Sequence, residues 1–250
     1  MLDAQAERPA KPCIQSVEVA QCRIREMTEE IVGELQRIVR AHRQLDAGAH
    51  GLELRPVLPC GPHDAAICFV GRDPGEKEAK CGRPFIGESG QRLRDCLLEF
   101  YAPSIIPSEQ SRLEIGERFF WVNTVPFKPK RNKPWSQPVR VACQPMLLQL
   151  MQSHWGGRDV VTFGNEAFFW FGIGQPRATR KKFRAFWNQG DIKYERSIEV
   201  PLPGLERTVR LHPMPHPSLA NARWRVRFPE LFKQRLFELS DPIVATQRRS

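Results

Sequence analysis

The sequence predicts an α/β fold, with a mainly parallel sheet covered by helices on both faces. Three short apolar runs have the character of buried strands, and each is followed by a loop and a helical pattern: residues 65–70, 119–125 and 159–163. Buried strands that alternate with helices are typical of parallel sheets, because the helix forms the crossover between neighbouring strands. With 250 residues, 41% of them hydrophobic, we expect one large domain rather than two small ones.

The other elements follow the periods expected of helices and strands. Apolar residues recur at helical spacing in five segments, which predict helices at residues 28–45, 89–100, 139–153, 165–171 and 229–239. Asn165 is expected to cap the fourth of these helices. Two β-rich runs, 194–201 and 208–211, precede the last helix. Residues 46–62 and 126–138 are rich in proline or glycine and are predicted to be connecting loops.

We expect three parts along the chain. Residues 1–60 are predicted to be an N-terminal helical extension that packs on the core, residues 61–240 the principal domain, and residues 241–250 a frayed basic tail. The charged N-terminus has no apolar signal segment, and no apolar stretch approaches the roughly 20 residues needed to span a bilayer. Seven cysteines without a CxxC pair indicate reduced thiols and a cytoplasmic location.

The chain is strongly basic. It has 38 Lys and Arg residues against 28 Asp and Glu residues, a formal net charge of +10 and a pI near 9.6. Twelve of the basic residues form three clusters: Lys128, Lys130, Arg131 and Lys133; Arg177, Arg180, Lys181, Lys182 and Arg184; and Arg223, Arg225 and Arg227. Separate basic segments are expected when they line one phosphate-binding surface, although ordinary solvated surfaces are also charged. The pattern favours a nucleic acid as partner.

The loop after the first strand carries a candidate catalytic group. Residues 71–75 are Gly-Arg-Asp-Pro-Gly, and a second turn, Gly-Arg-Pro-Phe-Ile-Gly, follows at residues 82–87. In an open α/β sheet, the loops at the carboxyl ends of the strands hold the functional groups. The carboxylate of Asp73 is therefore placed where chemistry is expected. The alternative is that Asp73 only caps the turn before Pro74, since Asp-Pro-Gly is common in turns.

Other strand ends also carry candidate side chains. Asn123 lies near the end of the second predicted strand, Phe85 lies in the second turn, and His216 follows the last β-rich run. Each has a structural alternative. Asn123 could cap its strand, Phe85 could be an ordinary core aromatic, and His212, four residues before His216, is the rival histidine.

In chain order, these loops carry Asp73, Phe85, Asn123 and His216, a set that resembles the uracil-DNA glycosylase superfamily. The match is closest to family 4, whose Gly-x-x-Pro-Gly loop, Gly-Arg-Pro-Phe-Val-Gly turn, Asn-Val-Val-Lys-Cys strand end and His-Pro-Ser loop are echoed within residues 65–227. The resemblance implies a three-layer α/β/α sandwich with a mainly parallel four-stranded sheet. It also implies a monomeric, monofunctional DNA glycosylase that flips uracil out of DNA and hydrolyses its N-glycosidic bond, leaving an abasic site.

The resemblance assigns a role to each of these residues. Asp73 positions or activates water, and His216 stabilises the departing uracil anion at O2. Asn123 pairs with O4 and N3–H of uracil, and Phe85 stacks on the flipped base. The substrate-binding set also includes Gly71, Arg72 and Gly75. DNA contacts are expected from Lys128, Lys130, Arg131, Lys133, Ser218, Leu219 and Arg223.

Three departures from the family patterns affect these expectations. Leu219 is the candidate wedge for the duplex, but its spacing differs from the leucine loop of family 1. Family 4 enzymes hold a [4Fe-4S] cluster through an N-terminal CxxC, a cysteine after the Asn-Val-Val-Lys run and another sixteen residues later. This chain has Phe127 and Cys143 at the last two positions, so we predict no cluster and no other cofactor. Gly75 stands where family 1 has the aromatic that excludes thymine, which leaves discrimination against thymine open.

Two other classes of protein share part of the pattern. A catalytically silent, nucleic-acid-binding relative would keep the basic loops, but the retained Asp73, Asn123 and His216 argue against it. An unrelated α/β hydrolase acting on nucleotides would require a Walker-type glycine loop or a cluster of metal-binding carboxylates. The sequence contains neither pattern.

Overall fold

The computed structural model describes the sheet, its flanking helices and most of the loops. The described residues are 14–45, 55–130, 133–203, 206–218 and 221–240, and within the first helix the side chains of residues 27–42 are described. Arg131, Leu219 and the basic tail at 241–250, for which the sequence makes predictions, lie outside this range.

A five-stranded sheet forms the centre of the described chain. Its strands are β1 (Ile67–Gly71), β2 (Phe120–Asn123), β3 (Asp159–Phe163), β4 (Ile198–Pro201) and β5 (Thr208–Met214). Their order is β2-β1-β3-β5-β4, and all neighbours are parallel except β4, which runs antiparallel to β5. The predicted α/β fold with a mainly parallel sheet is confirmed. The predicted count of four strands is wrong.

The additional strand is β4, at the edge of the sheet. Val200 is buried, whereas Glu199 and Pro201 on either side are exposed, so the strand is covered on one face. The N–H of Leu202 donates to the carbonyl of Arg207 at 2.8 Å and closes the connection to β5. The sequence predicts a β-rich run at residues 194–201, but the pairing of β4 with the sheet depends on β5 lying beside it, which local periodicity does not reveal.

Helices cover both faces of the sheet. In the described chain they are α1 (Ile14–Leu45), α2 (Glu76–Cys81), α3 (Glu88–Tyr101), α4 (Glu109–Gly116), α5 (Gln137–His154), α6 (Asn165–Trp170), α7 (Arg177–Trp187) and α8 (Phe228–Ser240). The side chains of β1 alternate between two cores. Cys68 and Val70 pack with α1, α5, α6 and α7, while Ile67 and Phe69 pack with α3, α4 and α8. This is the predicted three-layer arrangement.

Several helices differ from their predicted extents. α1 begins at Ile14 rather than at residue 28, and α6 has Gly164 rather than Asn165 as its N-cap. The helices α2, α4 and α7 were not predicted. With six and eight residues, α2 and α4 are too short for helical periodicity to be recognised. The segment of α7 is strongly basic and buries only Phe183 and Phe186, so its apolar pattern is short.

The described part of α1 packs on the same core as α5. Ile31, Leu35 and Val39 are buried there. No helix in the described ranges combines the length and the apolar character that crossing a membrane requires.

The carboxyl ends of the four parallel strands meet at one edge of the sheet. Gly71 at the end of β1 pairs with Asn123 at the end of β2, and Phe163 at the end of β3 pairs with Met214 at the end of β5. The loops that follow these positions therefore converge, which is the usual place for a site in such a sheet.

Candidate active site

A cavity of about 300 Å³ lies at this edge of the sheet. It is lined by all seven residues that the sequence predicts for catalysis and base binding, namely Gly71, Arg72, Asp73, Gly75, Phe85, Asn123 and His216. Its volume is at the small end of the range for ligand sites, as expected for a ligand with one ring. Sequence reasoning gave no role at the site to the other lining residues, among them Glu78, Phe163 and Pro217.

The carboxyl group of Asp73 lines this cavity and is almost completely buried from solvent. Its side chain is only 1% exposed, and the Nε of Arg72 lies 3.2 Å from its Oδ2. Burial raises the pKa of Asp73 to about 7, the neighbouring Arg72 guanidinium opposes this rise, and the Glu166 carboxylate adds to it. A carboxyl group with such a pKa exchanges a proton near neutral pH, as a general base must.

A short chain of charges surrounds Asp73. Arg72 Nη1 lies 3.4 Å from Glu166 Oε2, and Arg140 Nη1 lies 3.8 Å from Glu166 Oε1. Thr124 donates its hydroxyl to the carbonyl of Arg72 at 2.7 Å. The loop that carries Asp73 is thus anchored to α5, α6 and the end of β2. Sequence reasoning missed Glu166 and Arg140, because their only shared feature is this tertiary contact.

His216 is held in one tautomer by its own loop. The backbone N–H of Ser218 donates to its Nδ1 at 3.2 Å. A backbone N–H can only donate, so Nδ1 is the acceptor and the neutral ring carries its proton on Nε2. Burial lowers the pKa of His216, and the nearby Arg72 lowers it further. The ring is therefore a neutral donor in the wall of the cavity.

The rival histidine, His212, lies elsewhere. It is buried within β5, where its Nε2 lies 2.7 Å from Asp159 Oδ1 and its Nδ1 lies 3.3 Å from an Arg235 nitrogen. Burial lowers the pKa of His212 to about 4. Asp159 is at the amino end of β3, so this pair is at the opposite edge of the sheet from Asp73. His212 is a satisfied core histidine.

Asn123 offers an unused hydrogen-bond donor. The residue is buried, and its Nδ2 has no hydrogen-bond partner in the structure. An unpaired buried amide is costly and therefore uncommon. Because the side chain lines the cavity, a ligand carbonyl placed there would satisfy it.

Phe85 forms one wall of the cavity in an unusual backbone conformation. Its φ is 56°, in the left-handed region. Its ring lies over Gly71, where an added Cβ would be 2.5 Å from the Phe85 Cζ. The ring also contacts Trp121 and Phe163, with centroid distances of 5.0 and 6.1 Å. Phe85 is thus both a core aromatic and a flat surface within the cavity.

Glu78 ties the two turns together. Its carboxylate accepts hydrogen bonds from the backbone N–H groups of Gly75, Phe85 and Ile86. Burial nevertheless raises its pKa. Glu78 is the buried acidic side chain of the exposed, charged helix α2, so its sequence context indicated an ordinary surface residue.

The predicted DNA-binding residues surround this cavity only in part. Pro129 lines the cavity, which places its neighbours Lys128 and Lys130 near the rim. Lys133 is exposed, and Ser218 contacts the His216 ring as described. Arg223 Nη2 lies 2.8 Å from Asp191 Oδ2, so this guanidinium already has an acidic partner.

The family 4 iron-sulfur cluster does not fit the residues present. Phe127 is buried in the apolar core, and burial raises the pKa of the Cys143 thiol to about 12. Cluster ligands are thiolates, which this environment disfavours. Within the described ranges, no three Cys, His, Asp or Glu side chains are grouped as metal ligands. Cys13 and the side chain of Cys22 lie outside those ranges.

We expect the purified protein to be colourless, because one ligand position holds a phenylalanine and another a protonated core thiol. Visible absorption and iron analysis of protein purified without oxygen measure this. Cys143→Ala is expected to leave the spectrum unchanged. A visible absorption band with stoichiometric iron would contradict the prediction, above all if Cys143→Ala abolished it.

Known proteins resemble this chain over the region that builds the cavity. The family model described as the uracil DNA glycosylase superfamily matches residues 58–240. A type-4 uracil-DNA glycosylase of Sulfurisphaera tokodaii is 35% identical over 83 residues, which are 33% of each chain. A type-4 uracil-DNA glycosylase of Thermotoga maritima is 34% identical over 88 residues, which are 35% of this chain and 40% of the relative.

The chain thus matches less than half the length of these two relatives. The family match is broader, since it extends over most of the chain and includes every residue that lines the cavity. On that ground the chain belongs to the uracil-DNA glycosylase superfamily.

Proposed function

We propose that this protein is a monofunctional DNA glycosylase that removes uracil from DNA by hydrolysis and leaves an abasic site. One observation carries the proposal: a buried carboxyl group with a pKa near neutrality shares a small cavity with an unpaired amide and a neutral imidazole donor. The family supports a glycosylase in general terms.

In the proposed reaction, the C1′–N1 bond breaks and its electron pair leaves with the base. The sugar becomes positive and the uracil negative, so the site must stabilise both charges. The Asp73 carboxylate stabilises the sugar cation and takes a proton from the water whose oxygen bonds to C1′. The uracil anion then takes up a proton. One water is consumed, and free uracil and an abasic site are formed.

Uracil is bound by three side chains in this proposal. Phe85 stacks on the ring, Asn123 donates to O4 and accepts from N3–H, and the Nε2–H of His216 donates to O2 as negative charge develops. Gly71 allows the Phe85 ring to lie close to the strand end. Arg72 and Gly75 shape the loop that presents Asp73.

The finer expectations are part of the same proposal. The base is flipped out of the DNA, and the rim around Lys128, Lys130, Arg131 and Lys133, with Ser218, Leu219 and Arg223, holds the phosphate backbone. Residues 1–60 act as an extension of a principal domain at 61–240, with a basic tail at 241–250. The protein works as a monomer in the cytoplasm without a cofactor.

The proposal is tested by incubating the purified protein with oligonucleotides that contain uracil, hypoxanthine or a thymine mismatch, followed by alkaline cleavage. We expect strand cleavage at uracil, with or without EDTA. Asp73→Asn serves as the inactive control. Binding to DNA without an abasic product from any oligonucleotide would overturn the proposal in favour of a silent nucleic-acid-binding relative.

We expect excision to increase with pH through the pKa of Asp73, which burial raises to about 7. Only the carboxylate can accept a proton, so the rate falls below that pH and reaches a plateau above it. Single-turnover rates measured against pH test this. Because the Glu166 carboxylate contributes to the raised pKa, Glu166→Gln should move the acid limb to lower pH. Identical profiles would contradict this role of Glu166.

Binding should depend on the rim lysines rather than on the cavity. We expect Lys130→Ala and Arg131→Ala to weaken binding to every DNA sequence and to reduce the salt slope by about one unit for each lost contact. Excision at saturating DNA should stay unchanged. Arg158→Ala is the control, since Arg158 pairs with Glu199 just before β3, at the opposite edge of the sheet. Equal salt slopes for Lys130→Ala and Arg158→Ala would show that the rim is not part of the DNA interface.

A further inference from the structure

Arg94 of α3 is a buried arginine directed at the turn that carries Phe85. It is 5% exposed. Its Nε donates to the carbonyl of Phe85 at 3.0 Å, its Nη2 to that of Pro84 at 3.4 Å, and its Nη1 to that of Arg112 at 2.9 Å. Burial lowers its pKa to about 10. Burying a guanidinium is costly, and here two of the three acceptors belong to one short turn.

That turn holds Phe85 in a conformation that it would not adopt by itself. Within the described ranges, Phe85 is the only residue other than glycine with a positive φ. Bulky L-residues avoid this region, and such strain persists only where the surroundings impose it. Gly90 helps to impose this conformation, because its backbone lies directly against the Phe85 carbonyl. A Cβ at position 90 would overlap that carbonyl.

The same guanidinium also supports the ring behind Phe85. The Arg94 Cζ lies 4.7 Å from the centroid of the Trp121 ring, and this ring packs against Phe85. Arg94 therefore holds the backbone carbonyl of Phe85 on one side and the aromatic neighbour of its side chain on the other. Glu78 accepts a hydrogen bond from the N–H of Phe85, so the backbone of Phe85 is held at both its N–H and its carbonyl.

We propose that Arg94 is a positioning residue for base binding, which keeps Phe85 left-handed and its ring over Gly71 as a stacking surface. This inference rests on the proposed function. Without the three hydrogen bonds, Phe85 relaxes to a negative φ and its ring leaves the cavity wall. The flipped base then loses its stacking partner, while Asp73 and His216, held by other contacts, keep their places.

The test compares Arg94→Met and Arg94→Lys with a matched control, Arg235→Met. Arg235 is an equally buried arginine that donates to the carbonyls of Tyr194 and Arg196, and it does not line the cavity. We expect both Met variants to lose stability. Arg94→Met should raise KM for uracil-containing DNA and the inhibition constant of free uracil by about ten-fold or more, with kcat less affected. The control should change neither constant.

A double-mutant cycle decides whether Arg94 acts through Phe85. In a Phe85→Ala background, Arg94→Met should add little further loss of uracil affinity, whereas independent effects would add. Additive losses would overturn the proposal. If Arg94→Met does not fold, Arg94→Lys keeps the charge but not the forked hydrogen bonds, and the same cycle applies to it.

The inference and the proposed function can fail separately. If the wild-type protein excises no uracil, the proposed function fails, and a crystal structure of the Arg94→Lys variant still reports the φ of Phe85. A negative φ in that variant supports the positioning role, and an unchanged left-handed Phe85 overturns it. If wild type and Arg94→Lys excise uracil with equal KM, the proposed function stands and the positioning role is wrong.

Discussion

Replacing Asp73 by Asn is expected to lower uracil excision by about 10²-fold or more, with DNA affinity nearly unchanged. The amide has nearly the same shape as the carboxylate. It lacks the charge that stabilises the sugar cation, however, and it cannot take the proton of the attacking water. Single-turnover excision and a binding titration on the uncleaved substrate measure the two effects separately. If excision persisted in this variant, the catalytic role assigned to Asp73 would be wrong, even if the protein proved to be a glycosylase.

The same variant is expected to be more stable than the wild type at pH 8. Burial raises the pKa of Asp73 from 3.8 to about 7, so ionisation costs the folded state roughly 4 kcal/mol. Because the folded chain holds this proton more tightly than the unfolded chain, stability decreases as the pH rises from 3.8 to about 7. Denaturant unfolding of both proteins at pH 4 and pH 8 tests this. If Asp73→Asn were less stable than the wild type at pH 8, the claim that the buried carboxylate destabilises the folded state would be wrong.

Replacing His216 by Ala is expected to lower kcat by about 10²-fold, because it removes the donor that meets the charge developing on uracil O2. The neutral ring donates through Nε2 while Ser218 occupies Nδ1. KM should change little, since the hydrogen bond strengthens mainly in the transition state. Excision rates at saturating substrate measure the effect.

Two further variants make the His216 test specific. His216→Gln places an N–H donor near the same position and should recover part of the lost rate. His212→Gln disturbs the pair with Asp159 and should lower the free energy of unfolding without changing kcat of the folded protein. A large loss of kcat in His212→Gln with none in His216→Ala would reverse the assignment.

The general plan of the site was predictable from the sequence because it depends on local patterns and on one rule of sheet geometry. Apolar runs at residues 65–70, 119–125 and 159–163 mark the parallel strands, and the carboxyl ends of such strands must meet at one edge. Asn123 near the end of the second strand and Asp73 just beyond the end of the first therefore had to lie close together. The cavity includes both.

Other features were decided by the tertiary structure, because they depend on contacts between residues far apart in the sequence. Both His212 and His216 precede a proline, and the His-Pro-Ser triplet favoured His216, but only the pairing of β5 with β3 shows that His212 belongs to the core. The strand β4 depends in the same way on β5. The raised pKa of Asp73 arises from burial and from Glu166, ninety-three positions away.

By itself, the sequence determined the fold class, the order of the main elements and seven of the residues that line the cavity, since hydrophobic periodicity and strand-end placement are local properties. Only the tertiary structure determined the left-handed Phe85 and the buried partners Glu78 and Arg94 that hold it. Both partners are charged residues on helices, where sequence alone indicates exposure. Their burial follows from the packing of α2 and α3 against the turn between them, and packing between elements has no signature in the periodicity of a single segment.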